Sequence, residues 1–205
     1  MLTMTSSGFI DEQKLRESLR YRSDEFKFET CLEKIKNRYG PIQLIHILNE
    51  CDLEKALWAL RTLSTDQFDD GIRLMACDAV EVVLRNELKP ERRHFIEDSF
   101  PFDALEVSRA YAKGLLNEDQ RRQFENRITY SQWLEKTGSR WDSNNPQLFG
   151  GDLTEAALKT MVPEAQIAAY FSILGAHSIA MYPGVDEEDT EAKTKIVREF
   201  FESIS

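Results

Sequence analysis

The side chains with the most chemical reach in this chain are three histidines, three cysteines and the carboxylates around them. A hydrolytic or metal site needs histidines to converge with carboxylates or a nucleophile. Here His46, His94 and His177 each stand alone in sequence. Glu91-Arg-Arg-His94 has the i,i+3 spacing that supplies ligands in di-iron bundles. That chemistry takes two such units plus further glutamates, and no second E-x-x-H follows. The local reading is a solvated helix turn in which His94 meets Glu97 or Asp98. His46 lies among Leu44, Ile45, Ile47 and Leu48 and reads as a satisfied, half-buried histidine. His177, between Ala176 and Ser178, reads as core packing or as the lining of a pocket assembled across helices.

Cys31, Cys51 and Cys77 are far apart, odd in number and without a C-x-x-C pair. That pattern speaks against a disulfide framework and against zinc, and predicts reduced, mostly buried thiols in a cytoplasmic protein. Walker A, G-x-G-x-x-G, H-E-x-x-H and G-x-S-x-G motifs do not occur. No catalytic residue, metal or cofactor is therefore assigned, and an enzyme is not expected. Were a catalytic or ligand site assembled in space, Cys77 with Asp78, or His177 near Tyr170 and Tyr182, would be the places to look.

Features suited to binding are clearer. Asp186-Glu187-Glu188-Asp189, with Glu191, is an acidic run. Acids favour a helix N-terminus through the macrodipole, and the same run would serve as an acidic face for a basic protein. Trp141, Asp142, Leu148 and Phe149 lie in an aromatic-containing loop. Such a loop either plugs the end of a bundle or contacts a partner. Trp58 and Trp133 sit on helical stripes and are expected in the core. The partner-binding candidates are thus Trp141, Asp142, Asp186, Glu187, Glu188 and Asp189.

Charge points the same way. The net charge is −10. Between Trp141 and Ala192 nine acids face one base, Lys159, so this stretch carries −8 while 27 acids and 25 bases nearly cancel elsewhere. A chain this acidic is repelled by phosphate backbones unless a basic stripe overrides it. Only the doublets Arg92–Arg93 and Arg121–Arg122 hint at one. Nucleic acid is not an expected partner, and a basic protein is.

The elements that must position these residues read as helices throughout. Apolar residues recur at helical spacing, as in Phe28, Leu32, Ile35 and Tyr39. Gly40–Pro41 ends that helix and starts the next. Asp52 caps a helix through Leu57 and Leu60, and a longer one is predicted over 66–88. Further helices are predicted after Pro90, after Pro101 and after Asn117. Asn117 has Gln120 three residues on, close to a capping box. Residues 139–151 have no period and are rich in turn formers. Helices then resume at Asp152, Pro163 and about Glu187. No convincing strand is visible, and no repeat period supports a canonical solenoid. Ala165–Tyr182 is the longest apolar stretch, but Gln166, Ser172, His177 and Ser178 make it a buried helix rather than a membrane span. Met1–Phe9 has neither a basic n-region nor an apolar core, so no secretory signal is expected. The expected architecture is all-α: a single domain over residues 1–205, a bundle or solenoid-like stack of about nine to eleven helices, with a subdomain break at 139–151.

Glu50-Cys51-Asp52, the Ala56-Leu57-Trp58-Ala59-Leu60 helix, Met75-Ala76-Cys77-Asp78-Ala79-Val80, Ala104-Leu105-Glu106-Val107 to Ala110-Tyr111-Ala112-Lys113-Gly114, and Asn117-Glu118-Asp119-Gln120 share one further property. Together, over roughly residues 51–128, they resemble a family of Ala-rich helical bacterial immunity proteins. The resemblance implies an all-helical fold, no catalytic residues, a bacterial or phage source and inhibition by binding. The expected function is accordingly a cytoplasmic immunity-type antagonist that neutralises a toxin or enzyme by direct protein–protein contact. The alternative is a non-catalytic helical adaptor or scaffold in a larger assembly.

Overall fold

A computed structural model of the chain describes residues 10–19, 25–63, 66–87, 100–126, 155–180 and 187–205; the side chains at 25, 66, 87, 100, 177–180 and 187–189 lie outside that description. Among the described residues every regular element is helical, so the fold class is all-α. The chain divides into two compact units, Met1–Gln67 with Arg198–Ser205, and Phe68–Val197. The division falls near residue 67; the break expected at 139–151 lies outside the described residues. Helices on both sides of residue 67 share the same 3.6-residue apolar period, so no change of composition marks that boundary.

In the first unit α1 (Glu12–Leu19), α2 (Glu25–Tyr39), α3 (Leu44–Glu50) and α4 (Leu53–Leu60) follow in order. Phe28, Leu32 and Ile35 recur at i, i+4 and i+7 along α2 and are fully buried, as are Leu15, Leu19, Ile47 and Leu57. Gly40 ends α2 at φ 81°, a left-handed conformation that a Cβ disfavours, and its N–H closes on the Lys36 carbonyl at 3.0 Å. Asp52 caps α4 as expected, accepting the Lys55 N–H at 2.8 Å. Such a cap contributes about 1 kcal/mol.

The cysteine expectation is corrected here. Cys31 and Cys51 are joined in a disulfide with their Cα atoms 6.5 Å apart, and Cys77 alone is free. The reason is the hairpin of α2 and α3 about the turn at residues 40–43. Cys31 lies eight residues before the end of α2 and Cys51 one residue past the seven-residue α3. At about 1.5 Å per residue, both fall about 11–12 Å from the turn. Antiparallel return brings them level.

The second unit begins at Phe68, the last residue of a short 3-10 turn, and holds α5 (Asp69–Glu87), α6 (Phe100–Ala112), α7 (Glu118–Asn126), a helical turn at 155–159, α8 (Ala165–Ala180) and most of α9 (Glu187–Ser203). Helix α5 is central and packs on both α6 and α8. Cys77, Val80, Leu84, Leu105, Met161 and Ala176 are among the residues of one buried cluster. Small side chains let α8 lie close. Ala165, Ala168, Ala169 and Ala176 are buried. A Cβ on Gly175 would stand 3.4 Å from that of Ala156. Within the stretch expected as a buried helix over 165–182, α8 packs through a buried small-residue face, residues 181–182 lie outside the described residues, and no helix among the described residues is long and apolar enough to cross a membrane. Gly114 (φ 67°) closes α6 in a Schellman motif, with Leu115 N–H on the Ala110 carbonyl and Gly114 N–H on that of Tyr111, both at 2.9 Å. Asn117 and Gln120 form the anticipated reciprocal capping box, each side chain accepting the other's backbone N–H at 2.9 Å.

Candidate functional site

The most developed polar arrangement in the second unit is a set of cations folded inward. Arg73, Arg121 and Lys193 are 3%, 1% and 0% exposed. Burying a cation is costly unless donors and acceptors match. The match is the turn after the 155–159 helical segment, whose last carbonyls have no further helix to accept. Arg73 Nη1 donates to the Thr160 and Val162 carbonyls at 2.5 and 2.8 Å, and Nη2 to that of Pro163 at 2.7 Å. Arg121 Nη1 takes the remaining carbonyl, that of Met161, at 2.5 Å. Ser108 Oγ adds a bond to Thr160 O at 2.8 Å. The Tyr111 ring lies beside both guanidiniums, 5.1 Å from Arg73 and 5.8 Å from Arg121. Four consecutive carbonyls are therefore held by two guanidinium forks. Lys193 reaches the Ala176 carbonyl of α8 at 3.2 Å.

Arg121 also carries carboxylates. Its Nε and Nη2 donate to Glu118 at 2.8 Å each, its Nη1 to Glu125 at 2.9 Å, and Arg122 shares Glu118 at 2.7 Å. The hydrogen bonds from Arg121 dominate in holding the Glu118 carboxyl down at about 2. The sign follows: a carboxyl depressed in the folded state stabilises above its unfolded value of 4.5 and loses that contribution as pH falls toward about 2. Glu118 is one-third exposed, so solvent screening discounts the size of the effect. Glu118→Gln is expected to flatten the loss of stability between pH 4.5 and 2.5 relative to the parent. Parallel acid-denaturation curves for the two proteins would refute that assignment.

This arrangement positions backbone; it does not present a reactive group. Cys77 lies beside Ser108 and Thr160, fully buried, and burial pushes its thiol up. A buried protonated thiol is a poor nucleophile. Its neighbour Asp78 is engaged by Arg109 at 2.6 Å, and Arg109 also pairs with Glu81. Cys77 with Asp78 is thus not a reactive pair. Among the described residues no cluster of His, Cys, Asp and Glu is arranged to hold a metal.

In the first unit a second polar group surrounds Glu50, which accepts from Arg38 Nη1 at 2.8 Å and Tyr39 Oη at 2.7 Å. The His46 ring stacks on Tyr39 at 4.3 Å. His46 was expected to be satisfied. It is half-buried as anticipated, but its Nδ1 is buried with no hydrogen-bond partner, and burial pushes its pKa down. Trp58, expected in the core, is half-buried instead; it donates to Ser18 Oγ at 3.0 Å with Arg61 stacked 4.6 Å above its ring.

Of the residues singled out from sequence, Trp141, Asp142 and Asp186 lie outside the described residues, as do His94, Trp133 and Tyr182. Glu187, Glu188 and Asp189 form the first turn of α9, and His177 lies near the end of α8; their side chains lie outside the description. The Lys193–Ala176 bond brings the start of α9 and the end of α8 to one region of this unit, because Glu187–Asp189 stand only four to six residues, about 6–9 Å, ahead of Lys193. Tyr170 is half-buried and edge-on to Phe171 at 5.2 Å.

The inward cations escaped the sequence reading, yet a signal existed. Arg73 is in register with Ala76, Cys77, Val80 and Leu84, and Lys193 with Ile196, Val197 and Phe200. A cation in phase with an apolar stripe must either snorkel or be buried on acceptors. The Arg121–Arg122 doublet, read as a hint of a basic stripe, is turned partly inward and neutralised on Glu118 and Glu125. Comparison of the chain with protein-family models, curated proteins and solved structures finds no match.

Proposed function

We propose that this chain acts by binding, as an antagonist that occludes a basic toxin or enzyme with an acidic surface of the Phe68–Val197 unit. The observation that carries the reading is the disposition of charge. That unit has 23 acids against 15 bases, a balance of −8, whereas the rest of the chain has 13 against 11. Two of those bases, Arg73 and Lys193, are buried on backbone carbonyls, whereas Arg121 is paired with Glu118 and Glu125. Such a surface attracts basic proteins and speeds their capture, and it repels nucleic acid. The resemblance over residues 51–128 adds the immunity-type character and the bacterial or phage source. Trp141, Asp142, Asp186, Glu187, Glu188 and Asp189 remain the proposed contacts, and no catalysis is proposed. The cytoplasmic placement drew on reduced thiols and on the lack of signal-like character in Met1–Phe9, and the Cys31–Cys51 pair removes the first of these.

The test begins with whatever co-purifies from the native cells at low salt. One stoichiometric basic protein, lost at high salt, is the expected result. Replacing Asp186, Glu187, Glu188 and Asp189 with lysine should then slow association about tenfold or more and abolish its salt dependence. Association rates that ignore both the replacement and the salt would remove this segment from the interface.

An adaptor or scaffold role is the second reading. The apolar side chains available for such contacts stand singly: Leu115 at 72% and Phe171 at 48% exposed in the second unit and Phe26 at 83% in the first. A defined oligomer in sedimentation, with no basic partner recovered, would favour it.

A further inference from the structure

The Cys31–Cys51 bond has consequences for where this protein matures. Both cysteines are half-buried rather than sealed in the core. Cys77 is fully buried, belongs to the other unit, and is held as a thiol by its surroundings. In the folded chain its burial keeps it from exchanging with the bond. Non-covalent ties lie next to the bond. Glu50, adjacent to Cys51, is gripped by Arg38 and Tyr39 from the end of α2. The α2–α3 hairpin is thus also held beside the bond by contacts that do not involve sulfur.

We propose that the native chain is a substrate for a thiol–disulfide oxidant, and that it acquires the Cys31–Cys51 bond in an oxidising compartment rather than in the cytosol. The chemistry balances by exchange. One thiolate attacks the oxidant's disulfide and forms a mixed disulfide, releasing one oxidant thiolate. The second cysteine thiolate then displaces the other oxidant sulfur. The chain's two thiols lose two electrons and two protons, and the oxidant leaves as a dithiol. Disulfides made this way persist in oxidising compartments and are rare where glutathione keeps thiols reduced.

The experiment uses the full chain recovered from the cells that make it. Thiols are trapped with N-ethylmaleimide at the moment of lysis under denaturing conditions, and the intact mass is read before and after reduction. One adduct, on Cys77, is expected before reduction and three after it. Three adducts before reduction would overturn the proposal. So would a single-adduct protein recovered wholly in the cytosolic fraction, because the bond would then form without the compartment. Cys77→Ser provides the internal check. It should give no adduct before reduction, and any adduct on that variant would show Cys31 and Cys51 to be unpaired.

Discussion

Replacing Arg73 with alanine is expected to destabilise the Phe68–Val197 unit by about 3–5 kcal/mol. Arg73 is almost wholly buried and donates to three carbonyls, those of Thr160, Val162 and Pro163. Hydrogen bonds from a charged donor contribute about 1.5–3 kcal/mol each, and carbonyls left buried without a partner cost about 1–3 kcal/mol. Release of the cation's own desolvation offsets part of that sum. Loss of the guanidinium stack on Tyr111 adds to it. Burial pushes Arg73 below its ordinary value, yet the guanidinium stays charged at neutral pH. Lysine in its place keeps the charge without the planar fork, so Arg73→Lys should recover only part of the loss. The measurement is the denaturant midpoint of this unit at constant m-value. A shift equivalent to less than about 0.5 kcal/mol for Arg73→Ala would mean the turn satisfies its carbonyls by other means.

The second large effect is expected in the other unit. Cys31→Ser with Cys51→Ser should cost it about 3 kcal/mol, the loop-entropy value for a 20-residue separation. The contribution acts on the unfolded chain by restricting it, so the folded hairpin should keep its helical content. Wild-type protein unfolded in reductant should then match the double variant, with the oxidised protein above both. Coincident midpoints for oxidised and reduced wild type would show the bond to be energetically idle. This measurement differs from the trapping experiment, which asks where the bond is made rather than what it contributes.

Helices were legible because their signals are local. The i, i+4, i+7 run of Phe28, Leu32 and Ile35 in α2, the Asp52 cap, the Gly40 stop and the Asn117–Gln120 box each act within a few residues, and each appears where the pattern placed it. The Ala-rich helix was legible for the same reason, and its buried character followed from small residues that allow close approach. Three features were not so plain. The paired cysteines depend on the length of α2 measured against α3 across a turn, a comparison that cysteine spacing alone does not make. The grip of Arg73 and Arg121 joins residues 73 and 121 to carbonyls at 160–163, and sequence separation hides that meeting. The unit boundary near residue 67 separates stretches of similar composition, and the last residues of α9 rejoin the first unit across the length of the chain.

By itself the sequence determined that the fold class is all-α, roughly where most described helices begin, and that its excess charge is acidic and concentrated toward the C-terminal quarter. These follow from propensity, periodicity and counting, which need no partner in space. Only the tertiary structure decided that two of three cysteines are joined, that three cations are buried, and that His46 keeps a ring nitrogen without a partner. Those outcomes depend on which backbone carbonyls and sulfurs are brought within about 3 Å of a given side chain. Packing between distant segments sets that distance, and no local rule encodes it.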